Sequence, residues 1–441
     1  MIPANLKYQS KVESASGRRY LTQIQPQGST SFGMGETITI NIPTRNNTAL
    51  IPSESYLKGT LNLSCSTADA TAATFESAGI NGFIQRVRVF HGSNLLEDLD
   101  NFSQYAKILY DFQASDDTIK NRFAVTSGTN PQYNVISGTI VRGVNRGAVT
   151  AITTTATAVP FAINLISLVG SLSGEKYLPL WEMTAAPLRV EIVLKSSIVT
   201  SMLLVSAGTT ASPIFTMTGV NYCGEFLELP DSAIAAIKAG SSSPMQVVLP
   251  SVRSYTNSVA ITTAGTGVSF AIPAKFSSLK SIVVANRTSV GAEGLYPNSH
   301  CKYGLTTYNF RVGSELLPST APATTAEHFC EAVKCFGSLA DLAFQPSVDA
   351  VSYSLDVPAT TITTAANASI LDSGSFVVGI DMEIFANADK ASIFSGTNTN
   401  TSDIFFVANY TPAGNVTLLQ TAFASYDQVL VFENGVCYSR Y

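Results

Sequence analysis

Three histidines, six cysteines and one tryptophan limit the chemistry open to this chain of 441 residues. Metal-binding residue types crowd together at His300-Cys301 and again at His328, Cys330 and Cys335, and a metal site is what they would serve. The spacing works against it, since on a helix Cys330 and Cys335 stand about 140° apart. Glu97, Asp98 and Asp100 form an acidic cluster. A carboxylate pair would suit glycoside hydrolysis, but a solvated turn ahead of a capped helix explains the cluster more simply. His91 reads as a strand-end residue. The sequence has no P-loop, HExxH or EF-hand loop. Gly170-Ser171-Leu172-Ser173-Gly174 has leucine where a nucleophile elbow needs serine. Gly33-Met34-Gly35 lacks the third glycine of a dinucleotide loop. A lone tryptophan, Trp181, does not favour an aromatic sugar platform. The residues therefore predict no enzyme, no metal and no cofactor.

Composition points the same way. Apolar residues make up 45% and charged residues 13%, which excludes disorder and a charged coiled coil. The net charge of −5 does not suit a protein that coats nucleic acid. Mean hydropathy is +0.21, high for a chain with so few charges, so partner subunits are expected to cover much of the surface. Residues 147–174 and 196–224 carry no charged side chain and are long enough to span a bilayer. Pro160, Asn164 and Gly170 interrupt the first, and a turn-like stretch from Ser206 to Pro213 interrupts the second, so neither reads as a membrane helix. MIPANLKYQS has no apolar core of a signal peptide, which predicts synthesis in the cell interior without secretion. Scattered cysteines without CxxC fit a reducing compartment.

The elements are mostly strands. Ile38, Ile40 and Ile42 alternate with polar residues, as do Leu188, Val190, Ile192 and Leu194. Residues 83–90 give a more mixed strand. Asn434-Gly435 between two strand patterns predicts a hairpin, because both turn residues need positive φ. Helices are predicted over 102–112, with Asp100 or Asn101 as N-cap, over 326–336, and over 230–239. Residues 1–20 carry Lys7, Lys11, Arg18 and Arg19 against Glu13. They read equally as a frayed terminus or as an arm touching a neighbour, a membrane or nucleic acid.

The two halves of the chain echo each other. Gly92-Ser93-Asn94-Leu95-Leu96 recurs as Gly313-Ser314-Glu315-Leu316-Leu317, at an offset of 221. Tyr105 and Phe112 match Phe329 and Phe336 at 224. Ser55-Tyr56-Leu57-Lys58 matches Ser277-Ser278-Leu279-Lys280 at 222, and Ile42-Pro43 matches Ile272-Pro273 at 230. Four matches in one order predict an all-β chain of two tandem β-sandwich domains of about the same fold with a few short helices in connections, and domains of this kind suit a jelly roll or a related sandwich. The expected boundaries are an N-terminal arm at 1–20, a first jelly roll at 21–229, a short helix and linker at 230–244, and a second jelly roll at 245–441. Long Ser/Thr/Gly/Ala stretches, such as 125–174 and 357–375, would be large loops.

The segments FIQRVRVFHGSNLLEDLDNFSQYAKILYDF, YLPLWEMTAAPLRVEIVLK and FAIPAKFSSLKSIVVANR resemble the double jelly-roll major capsid proteins of icosahedral DNA viruses. That group includes adenovirus hexon and the capsid proteins of tectiviruses, algal large DNA viruses, virophages and polinton-like viruses. The resemblance covers residues 20–441 and implies a structural protein of the virion. It implies a homotrimer of nearly hexagonal outline that tiles a capsid facet beside neighbouring capsomers, penton and minor capsid proteins. It also implies an inner arm, with Lys7, Lys11, Arg18 and Arg19 as candidate contacts to neighbours or an internal membrane, and no sequence-specific nucleic-acid binding. A surface or fibre β-sandwich protein that binds glycan or a receptor is the alternative, and a β-sandwich glycoside hydrolase a third reading.

Overall fold

The computed structural model describes residues 17–65, 73–75, 77–127, 134–136, 139–141, 157–174, 176–197, 203–204, 213–241, 243–288, 298, 300–340, 346–358, 369–371, 374–384 and 395–441. Eight principal strands occupy the first half: β1 (Arg18–Ile24), β2 (Thr37–Ile42), β3 (Thr48–Cys65), β4 (Ile84–His91), β5 (Asn94–Asp100), β6 (Thr157–Ile163), β7 (Leu188–Leu194) and β8 (Pro213–Glu228). Eight more occupy the second: β9 (Met245–Ile261), β10 (Thr266–Ile272), β11 (Leu279–Thr288), β12 (Leu305–Val312), β13 (Glu315–Leu317), β14 (Val377–Asp381), β15 (Ile404–Tyr410) and β16 (Val416–Glu433). A final strand, β17 (Val436–Arg440), folds back on β16.

The first half forms two antiparallel sheets, ordered β1-β8-β3-β6 and β2-β7-β4-β5. The second forms β9-β16-β11-β14 and β10-β15-β12-β13. Adding eight to each label of the first half gives the second, so the sequence repeat is a repeat of topology. Each half pairs its first strand with its last and returns by crossovers between two facing sheets, which is a jelly roll. The matched motifs fall on matched elements. Ile42-Pro43 and Ile272-Pro273 end β2 and β10, Leu57-Lys58 and Leu279-Lys280 lie in β3 and β11, and the GS-x-LL turns join β4 to β5 and β12 to β13.

Alternation sets the faces. In β7, Leu188, Val190, Ile192 and Leu194 are buried, and Arg189, Glu191 and Val193 only partly so. β2 buries Ile38, Ile40 and Ile42 in the same way. Asn434 and Gly435 have φ of 53° and 77°, the left-handed pair that the β16–β17 hairpin requires. The apolar side chains of both rolls form one continuous core.

Four principal helices lie in the connections between strands: α1 (Phe102–Gln113), α2 (Asp231–Gly240), α3 (Thr325–Lys334) and α4 (Ala350–Ser354). α2 lies in chain order between the last strand of one roll and the first of the next. α3 begins with a capping box, in which the Thr324 hydroxyl accepts from Glu327 N and the Glu327 carboxylate accepts from Thr324 N. Thr324-x-x-Glu327 is the pattern for this cap, and it starts the helix one residue earlier than the apolar run suggests. At α1 the N-cap is Asn101 in the left-handed region, and Asp100 Oδ1 accepts from Asn101 N instead of capping the helix.

Gly304 shows how tightly one turn is built. Its φ is +71°, and a Cβ placed on it would lie 2.4 Å from Thr411 O. Gly304→Ala is expected to destabilise the protein by about 1–3 kcal/mol. A urea midpoint unchanged from wild type would contradict this packing.

Candidate assembly site at the seam between the rolls

α1 belongs to the first roll by sequence, yet it is a joint between both. Its sequence, FSQYAKILYDFQ, is apolar around most of its circumference, and ten of its twelve residues are buried. Tyr105 packs on Phe423 of β16, with ring centroids 5.3 Å apart. Phe112 stacks on Phe336 at 5.0 Å and meets Phe329 of α3 at 6.2 Å and Tyr353 of α4 at 6.3 Å. Phe112 and Phe336, equivalent positions in the repeat, therefore touch each other across the seam.

A buried polar network lies beside these rings. Lys107 Nζ donates to Asp111 Oδ2 at 2.6 Å, Gly374 O at 2.8 Å and Ser375 Oγ at 3.0 Å. Ser375 Oγ donates in turn to Asp111 Oδ2 at 2.8 Å. Side-chain exposure is only 3% for Lys107 and 8% for Asp111, so each charge depends on the other and on the second roll. Ser103 Oγ donates to Asn298 Oδ1 at 3.0 Å, adding another bond from α1 to the second half.

The β4–β5 turn forms the other half of the seam, against the C-terminal hairpin. Cys437 N donates to His91 Nδ1 at 3.0 Å, and Asn94 Nδ2 donates to Cys437 O at 3.1 Å. Gln428 Nε2 donates to Leu96 O, and Ala185 N to Gly435 O at 3.0 Å. The ring of His91 is thus held by main-chain groups, a structural role for a strand-end residue.

The acidic cluster is not a solvated turn. Glu97 is 2% exposed, accepts from Ser167 Oγ, and accepts from Leu168 N at 3.1 Å. It is buried because alternation along β5 turns it inward, toward the loop that carries Ser167. Asp98, next along the strand, makes a bidentate pair with Arg86 at 2.6 and 2.7 Å, and Asp100 accepts from Gln85. The three carboxylates thus have separate partners.

Burial raises the Glu97 carboxyl to about 7, against the lowering effect of its two hydrogen bonds. His300 is fully buried at the seam, and neither ring nitrogen has a hydrogen-bond partner among the described residues. Burial, with the nearby Lys107 and Arg287 charges, holds it well below the usual histidine range. The two groups act oppositely on stability. The Glu97 contribution is full below about 4.5, the unfolded value, and is lost as pH rises through about 7. The His300 contribution is full above about 6.5 and is lost as pH falls toward its depressed folded value. Glu97→Gln is expected to remove the decline of wild-type stability between about pH 5 and pH 8. Parallel stability–pH curves for wild type and variant over that range would contradict the burial of this carboxyl.

The sequence-derived arm candidates divide. Lys7 and Lys11 lie outside the described residues. Arg18 and Arg19 are in β1, paired with Glu228 and Leu227 of β8, so regular structure begins inside the stretch read as an arm at 1–20. Strand pairing claims them because RRYLTQI continues the sheet edge; Arg19 Nε also bonds Glu225 Oε1 at 2.6 Å. Arg18 stays exposed, its guanidinium 5.5 Å from the Tyr20 ring. Of the metal candidates, Cys301 is buried, Cys330 is exposed, and His328 Nε2 is within 3.1 Å of Pro322 O. Among the described residues no three His, Cys, Asp or Glu side chains are grouped to hold a metal ion. Parts of the two charge-free stretches are strands β6 and β8, and no described helix is long and apolar enough to cross a membrane.

The sequence reading missed Lys107, Asp111 and the role of α1. The available signal was an i,i+4 charge pair, Lys107 and Asp111, on a helix whose wider face is apolar.

No family model and no curated protein matches the sequence. Solved structures do. The capsid protein VP54 of PBCV-1 superposes with a TM-score of 0.60 at 10% identity, over 98% of this chain and 99% of that one. The mavirus major capsid protein gives 0.53 at 13% identity, over 100% and 95%, and the Faustovirus major capsid protein 0.53 at 9%, over 97% and 92%. The chain is a double jelly roll. Both rolls and the seam are included in these matches, since coverage is nearly complete on both sides. In this double jelly roll the seam is the boundary between the two rolls of the chain.

Proposed function

We propose that the chain is a major capsid protein, whose role is structural rather than enzymatic. The observation that carries this is near-complete coverage in both directions of known major capsid proteins. Two rolls fixed rigidly side by side give one subunit two of the six sides of a near-hexagonal block, and three subunits close it. Such blocks tile a facet with neighbouring capsomers, alongside penton and minor capsid proteins. The low charge and the many exposed apolar side chains, Leu21, Leu316 and Ile384 among them, suit a surface completed by other subunits. The N-terminal arm bearing Lys7 and Lys11 contacts neighbours on the inner side, and an internal membrane in particles that have one. The protein resides in the virion. Light scattering of the purified chain tests the reading: a particle three times the 46.7 kDa chain mass is expected, and a monomer at all concentrations would refute it.

A further inference from the structure

β11 carries a bulge at its second residue. Its register with β16 shifts between Leu279 and Ser281, which skips Lys280, and all three residues are buried. A bulge re-aims a side chain, and here it turns Lys280 inward. Lys280 Nζ lies 2.9 Å from Asp427 Oδ1 of β16 and 3.9 Å from Glu383 Oε1, just beyond β14. Side-chain exposure is 11% for Lys280, 2% for Asp427 and 4% for Glu383. Neighbouring groups hold all three in place. Ser278 Oγ donates to Asp427 Oδ2 at 2.6 Å, Gly396 N to Ser278 Oγ at 3.1 Å, and Ser395 Oγ to Glu383 Oε1 at 3.1 Å. Met382 N donates to Lys280 O at 2.7 Å, which seats the Glu383 segment beside the lysine. In the first roll the repeat places Lys58 at the equivalent position, where it is partly exposed and opposite Asn221.

We propose that Lys280 and Asp427 join covalently, through an amide between Nζ and Cγ, with Glu383 relaying the protons. This goes beyond the capsid reading and does not depend on it, since every group lies in one chain. In water an amine and a carboxylate stay apart as hydrated ions. Here the fold holds them in contact and away from solvent, which supplies the proximity that condensation needs. A second carboxylate beside the nitrogen gives its protons somewhere to go; a plain ion pair needs none. In the reaction Nζ bonds to Cγ and one Cγ–O bond breaks. The nitrogen gives up two protons, both pass by way of Glu383 to the departing oxygen, and water leaves. Ser278 Oγ, on Asp427 Oδ2, stabilises charge on the oxygen that stays. Glu383 ends as it began, and no oxidant or further reactant is used. The link ties the neighbouring strands β11 and β16 and closes a loop that contains β12 to β15, which restricts the unfolded chain.

Intact-mass spectrometry of the folded, full-length chain is the test, and it needs no variant. The wild-type protein is expected to be lighter by one water than its sequence requires. Trypsin should fail to cut after Lys280, and the peptide of residues 276–287 should appear joined to that of residues 391–440. Glu383→Gln keeps the size of the side chain but cannot relay protons. It should carry the full sequence mass and be cut after Lys280. A folded wild-type chain at its full sequence mass, cut after Lys280, would overturn the link and leave an ion pair. A missing water that maps to any other residue would overturn it as well. A link formed as completely in Glu383→Gln as in wild type would overturn the role of Glu383. None of these outcomes depends on whether the chain trimerises, so failure here leaves the capsid reading standing.

Discussion

Phe112→Ala is expected to lower stability by about 3–5 kcal/mol, one of the largest losses available from a single side chain here. Phe112 is fully buried and meets three aromatic rings of the second roll. Removing it leaves a cavity whose far wall is Phe336, Phe329 and Tyr353, on segments anchored by their own helices, so the site collapses poorly. The loss falls on the joint between the rolls. Urea unfolding, followed by far-UV circular dichroism and by tyrosine fluorescence, should show a lower midpoint and a separation of transitions that coincide in wild type. A loss under about 1 kcal/mol, with the transitions still coincident, would show that α1 does not couple the rolls.

Lys107→Met should cost about 3–5 kcal/mol by a different route. The methionine fills most of the space of the lysine stem, so packing changes little. What remains is Asp111, 8% exposed at its side chain, stripped of its cation and left with Ser375. Adding Asp111→Leu to Lys107→Met removes the stranded charge and should recover most of the loss. The double-mutant cycle by urea denaturation measures this coupling. If the double variant is as unstable as the sum of the two singles, the pair is not acting as a unit.

Much of this architecture was readable in the residues, for identifiable reasons. A strand with one core face writes its burial into a period of two, and β2 and β7 match theirs position by position. Asn434-Gly435 specifies its turn locally. The repeat showed the duplication because matched motifs occupy matched strands. Other features depend on contacts distant in sequence. Nothing near Glu97 signals that Ser167 and Leu168 will enclose it, so it reads as a solvated acid. Lys107 and Asp111 are visible as a helix pair, but Gly374 and Ser375, which complete the network, lie more than 260 residues away. Arg18 and Arg19 look like part of a basic arm until β8 pairs with them.

The proposal that two like rolls, locked at one seam, make a subunit that closes as a trimer has a direct test. Single-particle electron microscopy of the purified protein, or of particles from its source, provides it. Particles of near-hexagonal outline are expected, with threefold symmetry and six similar lobes. Dispersed two-lobed monomers, or dimers related by a twofold axis, would contradict it.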